Sequence, residues 1–433
     1  MPGRRLGFLP TSVCVTISLP GRRISKTLVI VAVIMVVLDG FLFHRGLSVQ
    51  MEQDGKASPC EASGSSSHRS ASSYLRGGSC MNYSLKTETY FPLLPLLSKR
   101  PATFKRSIPH SSSTLGRKIA TLYDNFTCKS LKEHIFPPLM EMFIFLNFFK
   151  APFLVDLKKP ELKIPHTVNF YLRVEPGVTL GIWHTVPSCR GEDAKGKDRS
   201  WYEAALRDGN PIIVYLHGSA ENRAAPHRIK LVKVLSDGGF HVLSVDYRGF
   251  GDSTGKPTEE GLTADALFVY EWTKARSGTT PVCLWGHSLG TGVATNAARV
   301  LEERGSPADA IILEAPFTNI WVASINYPLL KIYRKLPGFL RTLMDALRKD
   351  KIVFPNDENV KFLSSPLLIL HGEDDRTVPL EIGKQLYEIA HSAYRKKERV
   401  KMVVFPPGFH HNLLCESPTL LKTVRDFLSE QWA

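Results

Sequence analysis

In the stretch PVCLWGHSLGTGVA, residues 281–294, Ser288 stands between Gly286 and Gly290 at the close of an apolar run. A serine hydroxyl is inert near neutral pH. A chemical role for it requires a base to take its proton, a carboxylate to orient that base, and amide donors to hold an oxyanion. A Gly-x-Ser-x-Gly match arises by chance, so the rest of the chain must supply those partners. An acid is available in HGEDDRTVP, residues 371–379, where the Gly-x-x-Asp-x-x-Val frame selects Asp375 over its neighbour Asp374. A base is available in GFHH, residues 408–411; the Gly-x-x-His frame selects His411, although spacing alone does not exclude His410. For the oxyanion, the backbone amide of Leu289 follows the serine directly, and a second amide is expected from Ser219 or Ala220 in HGSA, residues 217–220. Gly218 permits close backbone approach there, and His217 reads as a structural hydrogen-bonding group.

These residues need a scaffold, and the pattern from residue 162 onward provides one. Residues 167–174 and 178–186 read as antiparallel strands around a Glu-Pro-Gly turn. Apolar runs at 212–218, 241–247, 281–286, 310–315, 366–372 and 401–405 then alternate with helical patterns near 227–235, 263–276, 289–304, 380–394 and 417–430. Continuous apolar strands alternating with helices predict a mostly parallel sheet covered on both faces. In such a sheet, sites form beyond the carboxyl ends of the strands. Ser288 falls between a strand and a helix, where a tight turn would expose its hydroxyl. Gly286 and Gly290 are expected to be glycine because a side chain would crowd that turn. The acid and the base each follow a later strand, and the order Ser, Asp, His is that of the α/β-hydrolase fold. Residues 317–359 form an insertion that mixes Trp321, Tyr327 and Leu330 with Lys331, Arg341, Arg348 and Lys349. That mixture suits an acyl chain beside an anionic head group, and equally an amphipathic lid helix with a solvated basic face.

The chain has 433 residues, 43% of them hydrophobic, which is more than one catalytic domain of about 250–300 residues requires. Its formal charge is +14, and the first 134 residues hold 18 Lys/Arg against 7 Asp/Glu. The basicity therefore belongs mostly to a Ser-rich leader, which argues against a nucleic-acid-binding core. The seven cysteines are scattered without metal-ligand spacing, so no zinc site is readable, and the chemistry of a Ser-His-Asp relay requires neither a metal nor an organic cofactor. Residues 27–43, TLVIVAVIMVVLDGFLF, are apolar except for Asp39 and are preceded by Arg4, Arg5, Arg22, Arg23 and Lys26. As a retained anchor this short run would, by the positive-inside rule, place the N-terminus in the cytosol and the remaining chain in the lumen. The other reading is a cleaved signal peptide, against which stand the 26 residues ahead of the apolar core and the lack of a clear small-residue cleavage site after it. The expected organisation is a basic tail at 1–26, a transmembrane signal anchor at 27–43, a flexible tether at 44–116, a membrane-proximal apolar helical segment at 117–160, and a catalytic domain at 161–433 with its lid at about 317–359. Within the fourth segment, the apolar run at 135–155 could lie at a bilayer surface or pack on the domain. Asn82 and Asn125 are sequons.

FFKAPFLVDLKKPELKIPHTVNFYL, YLHGSAENR, SVDYRGFGDSTGKP, GHSLGTGVATN, LEAPFTNIW, FPNDENVKFLSSPLLILHGEDD and FPPGFHHNLL together resemble the vertebrate α/β-hydrolase domain-containing protein 12 family, most closely its 12B branch. The resemblance runs from about residue 117 to the C-terminus. It implies a membrane-bound serine lipase of the endoplasmic reticulum, with a lumenal catalytic domain acting on monoacylglycerols and lysophospholipids, lysophosphatidylserine in particular. Matched motif by motif, it places the triad on Ser288, Asp375 and His411. Other readings of the same residues are a membrane-tethered pseudo-hydrolase that binds lipid or protein without turnover, and a thioesterase or peptidase of the same fold.

Overall fold

A computed structural model describes residues 144–148, 155–327 and 339–432. The expected anchor, the tether, both sequons, most of the 117–160 segment and the middle of the lid lie outside the described residues.

Eight strands form one sheet: β1 Thr167–Glu175, β2 Val178–Thr185, β3 Ile212–Leu216, β4 His241–Val245, β5 Val282–His287, β6 Ala310–Glu314, β7 Leu367–Gly372 and β8 Val400–Phe405. Their order is β1-β2-β4-β3-β5-β6-β7-β8. β1 and β2 pair antiparallel, β2 runs antiparallel to β4, and every later pairing is parallel. The helices that matter here are α1 Arg199–Ala205, α2 Pro226–Asp237, α3 Glu259–Ser277, α4 Leu289–Glu303, α5 Ile320–Asn326, α6 Phe339–Lys349, α7 Leu380–Ala393 and α8 Leu420–Trp432.

The continuous apolar runs are explained by burial on both faces. Successive side chains of a strand point to opposite faces. Ile212, Val214 and Leu216 join one core with α3, α4 and α7, whereas Ile213 and Tyr215 join a second core with α2 and α8. The same alternation divides β5, with Val282 and Leu284 on one face and Cys283 and Trp285 on the other. β3 is hydrogen-bonded to β4 on one side and β5 on the other. Connections leave in opposite directions at that point, so the carboxyl ends of β3 and β5 form the topological switch point at which sites of such sheets lie.

Local signals shift some boundaries from those expected. α3 begins at Glu259, because the Thr258 hydroxyl accepts from the Gly261 amide at 3.0 Å and two glutamates favour the positive end of the helix. α1 has no counterpart in the periodicity reading; it starts where Asp198 caps the Trp201 amide at 3.1 Å. Ile144 and Phe145, from the apolar run expected at 135–155, are buried in the α3/α4 core, so this part of the run packs on the domain.

Candidate active site

The turn from β5 into α4 carries Ser288 at φ 51°, ψ −117°, a region that non-glycine residues rarely occupy. Its amide donates to the Glu314 carbonyl at 2.9 Å, which ties the turn to the end of β6. The flanking glycines are required sterically. A Cβ at Gly286 would lie 2.3 Å from the Gly290 carbonyl oxygen, and one at Gly290 would lie 2.0 Å from that of Leu216. Neither backbone can retreat, because both belong to the sheet and the helix that form the turn.

Three strand ends converge on the serine. His411, after β8, places Nε2 3.0 Å from the Ser288 hydroxyl, and its Nδ1 lies 2.7 Å from Asp375 Oδ2, after β7. The other carboxylate oxygen of Asp375 accepts the amides of Thr377 and Val378 at 2.8 and 2.9 Å. With the aspartate accepting from Nδ1–H, Nε2 is left with a lone pair toward the hydroxyl, the tautomer that proton abstraction requires. Burial pushes the Asp375 carboxyl up, but His411 beside it, His371 and the Val378 amide together hold it below the usual range. The arrangement is a Ser–His–Asp relay able to activate a hydroxyl for acyl transfer.

The neighbouring pair does something else. His410 Nδ1 bonds Asp374 at 2.7 Å, and its side chain is 56% exposed, whereas that of His411 is 8% exposed. Asp374 also accepts the amides of Gly408 and His410 at 2.8 and 2.9 Å, so it pins the loop that carries His411. His410 has φ 50°, and this turn of the chain sends the two adjacent imidazoles in different directions.

The oxyanion expectation needs one correction. Leu289 opens α4, where the first amides have no partner inside the helix. The Ala220 amide, however, donates to the Phe145 carbonyl at 2.9 Å and is not available to substrate. Ser219 remains as the second donor; its hydroxyl is held by the Ile144 carbonyl at 2.7 Å. A Cβ at Gly218 would stand 3.1 Å from the Ser288 Cβ, so the glycine lets this loop pack on the nucleophile. His217 is structural, as expected: its Nδ1 donates to the Gly218 carbonyl at 2.7 Å. Among the described residues no cluster of His, Cys, Asp and Glu could hold a metal ion.

Several contributors carried no sequence signal of their own. His287 donates from Nε2 to the His411 carbonyl at 3.0 Å, and burial followed by the nearby His411 brings its pKa down to about 3. Glu314, buried at the end of β6, accepts from the Trp285 indole at 2.9 Å, and burial pushes its carboxyl up from 4.5 to about 7. The folded protein therefore holds this proton more tightly than the unfolded chain, and stability falls as pH rises from about 4.5 to about 7. Glu314→Gln keeps the acceptor for Trp285 and removes the titration. The variant is expected to gain about 3 kcal/mol on wild type between pH 4 and pH 8, read from urea denaturation at both pH values. A stability difference that does not change with pH would show that Glu314 does not titrate in this window.

A family profile described as the alpha/beta hydrolase fold matches residues 211–354. Protein ABHD12B from Homo sapiens is 87% identical over 328 residues, covering 76% of this chain and 91% of that protein. The chain belongs to the ABHD12 family. Other ABHD12-family relatives include the lysophosphatidylserine lipase ABHD12 of Rattus norvegicus, 44% identical over 86% of this chain and 95% of its own length. The protein of that name from Xenopus tropicalis is 50% identical over 68% of this chain and 77% of its own length.

Proposed function

We propose that this chain is a serine hydrolase that cleaves the acyl esters of monoacylglycerols and lysophospholipids, lysophosphatidylserine in particular. The observation that carries the reading is the relay itself, with His411 Nε2 3.0 Å from the Ser288 hydroxyl and Nδ1 2.7 Å from Asp375. His411 takes the Ser288 proton as the oxygen attacks the ester carbonyl, and the amides of Leu289 and Ser219 receive the oxyanion. The tetrahedral intermediate collapses, His411 gives the proton to the departing glycerol oxygen, which leaves as glycerol from a monoacylglycerol or as the glycerophosphodiester from a lysophospholipid, and the acyl chain stays on Ser288. Water, deprotonated by the same imidazole, attacks the acyl-enzyme, and the fatty acid leaves. Asp375 keeps the imidazole in its reactive tautomer and stabilises the cation formed in each half-reaction.

The anionic preference is supported by α6. Leu343, Ala346 and Leu347 are buried beneath it, while Arg341 and Arg348, seven residues apart on one side of the helix, are exposed. The test is turnover of lysophosphatidylserine, lysophosphatidylcholine and monoacylglycerol by the full chain in vesicles. The expected order places the anionic lipid first. The double reversal Arg341→Glu/Arg348→Glu should lower its rate by at least about 30-fold relative to the neutral monoacylglycerol, from about 1 kcal/mol for each of the two cations lost. Equal rates on all three lipids, unaffected by the reversal, would remove the head-group part of the proposal.

The reading extends to a single-pass protein of the endoplasmic reticulum membrane with its catalytic domain in the lumen, supported by the charge asymmetry around residues 27–43. Among the described residues no helix is long and apolar enough to cross a membrane. Glycosidase-sensitive mass at Asn82 or Asn125 is the expected result, and sequons protected from glycosylation in intact cells would count against the lumenal placement.

A further inference from the structure

Arg228 lies in the first turn of α2 and is 2% exposed. Three features of its position are unfavourable for a cation. It is out of water, it sits at the positive end of a helix dipole, and no carboxylate lies within ion-pair distance among the described residues. What surrounds the guanidinium is a set of carbonyls from the loop after β3. One terminal nitrogen donates to the Asn222 oxygen at 2.9 Å. The other faces the oxygens of Gly218, Ser219 and Ala220 at 3.3, 3.4 and 3.1 Å. Ala220 and Glu221 have φ of 61° and 58°, so the loop holds two consecutive non-glycine residues in a left-handed conformation that must be stabilised from outside.

The planarity of the peptide bond turns this contact into a statement about the site. In a trans peptide the N–H points away from the C=O. Drawing the Gly218 carbonyl toward Arg228, with the His217 imidazole as its second donor at 2.7 Å, turns the Ser219 N–H the other way. On the other side of the loop, the Ile144 and Phe145 carbonyls hold the Ser219 hydroxyl and the Ala220 amide. We infer that Arg228 is a positioning residue for the oxyanion site, orienting the Gly218–Ser219 peptide so that the Ser219 amide faces the carbonyl attacked by Ser288, with its buried positive charge behind that amide. The charge is felt locally: after burial, Arg228 is the next cause that lowers His217, and it contributes to lowering His287. A carbonyl oxygen that becomes negative in this field is stabilised without any rearrangement of solvent.

The inference rests on the hydrolase reading and deepens it. The experiment compares wild type with Arg228→Met and Arg228→Lys in the full chain, each checked by thermal melting. Acylation is followed in single turnover with a short p-nitrophenyl ester and its thiono counterpart, in which sulfur replaces the carbonyl oxygen. Sulfur is larger and a weaker hydrogen-bond acceptor, so a formed oxyanion site favours the oxo ester, and a disordered one loses that preference. For Arg228→Met the acylation rate should fall about 10²- to 10³-fold, the range seen when one oxyanion donor is lost, with KM changed less than about threefold. The oxo-to-thiono rate ratio should fall in parallel. Arg228→Lys, which keeps the charge but reaches fewer carbonyls, should fall between, and it carries the test if the methionine variant does not fold. Folded variants with wild-type acylation, or slowed variants with an unchanged oxo-to-thiono ratio, would overturn the inference. A wild-type chain without Ser288-dependent turnover would overturn the hydrolase reading as well, which separates the two failures.

Discussion

Replacing Ser288 by alanine is expected to abolish labelling by a fluorophosphonate probe and to lower lysophospholipid turnover by about 10⁵-fold or more, with the fold intact. The expectation of an intact fold comes from what the hydroxyl touches. Its partner is His411, and the strained backbone at φ 51° is maintained by the Ser288 amide on the Glu314 carbonyl and by the packing of Gly286 against Gly290, none of which involves the Oγ atom. Alanine and serine meet the same steric cost at positive φ, so thermal melting should change little. Labelling that persists in Ser288→Ala would place the nucleophile elsewhere. A wild-type chain that neither labels nor turns over lipid, with the relay in place, would favour the binding protein over the catalyst.

The parts of this site that were legible in the sequence are those that obey a local rule. Ser288 could be read because a strand, two glycines and a helix lie within about a dozen residues, and the glycines have a steric reason that can be stated before any coordinates are known. The strands β3, β5 and β6 could be read because burial on both faces removes polar residues from short runs. What could not be read depends on contacts between distant segments. The hydrogen bond from Ala220 to Phe145 joins residues on opposite sides of the antiparallel β1–β2 pair, and nothing in HGSA indicates which amide is already occupied. Arg228 looks like one basic residue among several at the start of a helix until the loop carbonyls are seen to surround it. Glu314 ends an apolar strand and carries no mark of its position between the serine strand and the acid strand. The position of β4 between β2 and β3 is likewise a choice of packing that the order of elements does not reveal. Adjacent candidates were the hardest case. Asp374 and Asp375, or His410 and His411, differ by one residue, and the difference in role comes from backbone angles such as the φ of 50° at His410.

That division of roles between neighbouring aspartates leads to the second large effect. Asp375→Asn is expected to lower kcat by about 10⁴-fold, while Asp374→Asn lowers it only a few-fold. Both amides that donate to residue 375, from Thr377 and Val378, reach the same oxygen, Oδ1. An asparagine at this position keeps its carbonyl oxygen there and turns its NH₂ toward His411 Nδ1, 2.7 Å from the present Oδ2. The imidazole must then accept at Nδ1 and carry its proton on Nε2, where it faces the Ser288 hydroxyl with a hydrogen instead of a lone pair. Charge is lost as well, so the imidazolium of the transition state has no counter-ion in a buried site. Asp374 instead accepts the Gly408 and His410 amides and pairs with an exposed imidazole, so its replacement loosens the loop without altering the His411 tautomer. Steady-state kcat for both variants, with thermal melts to confirm folding, checks the assignment. Comparable losses in the two variants, or an Asp375→Asn enzyme within tenfold of wild type, would mean that another carboxylate orients His411, and Glu314 at the end of β6 would be the first to replace.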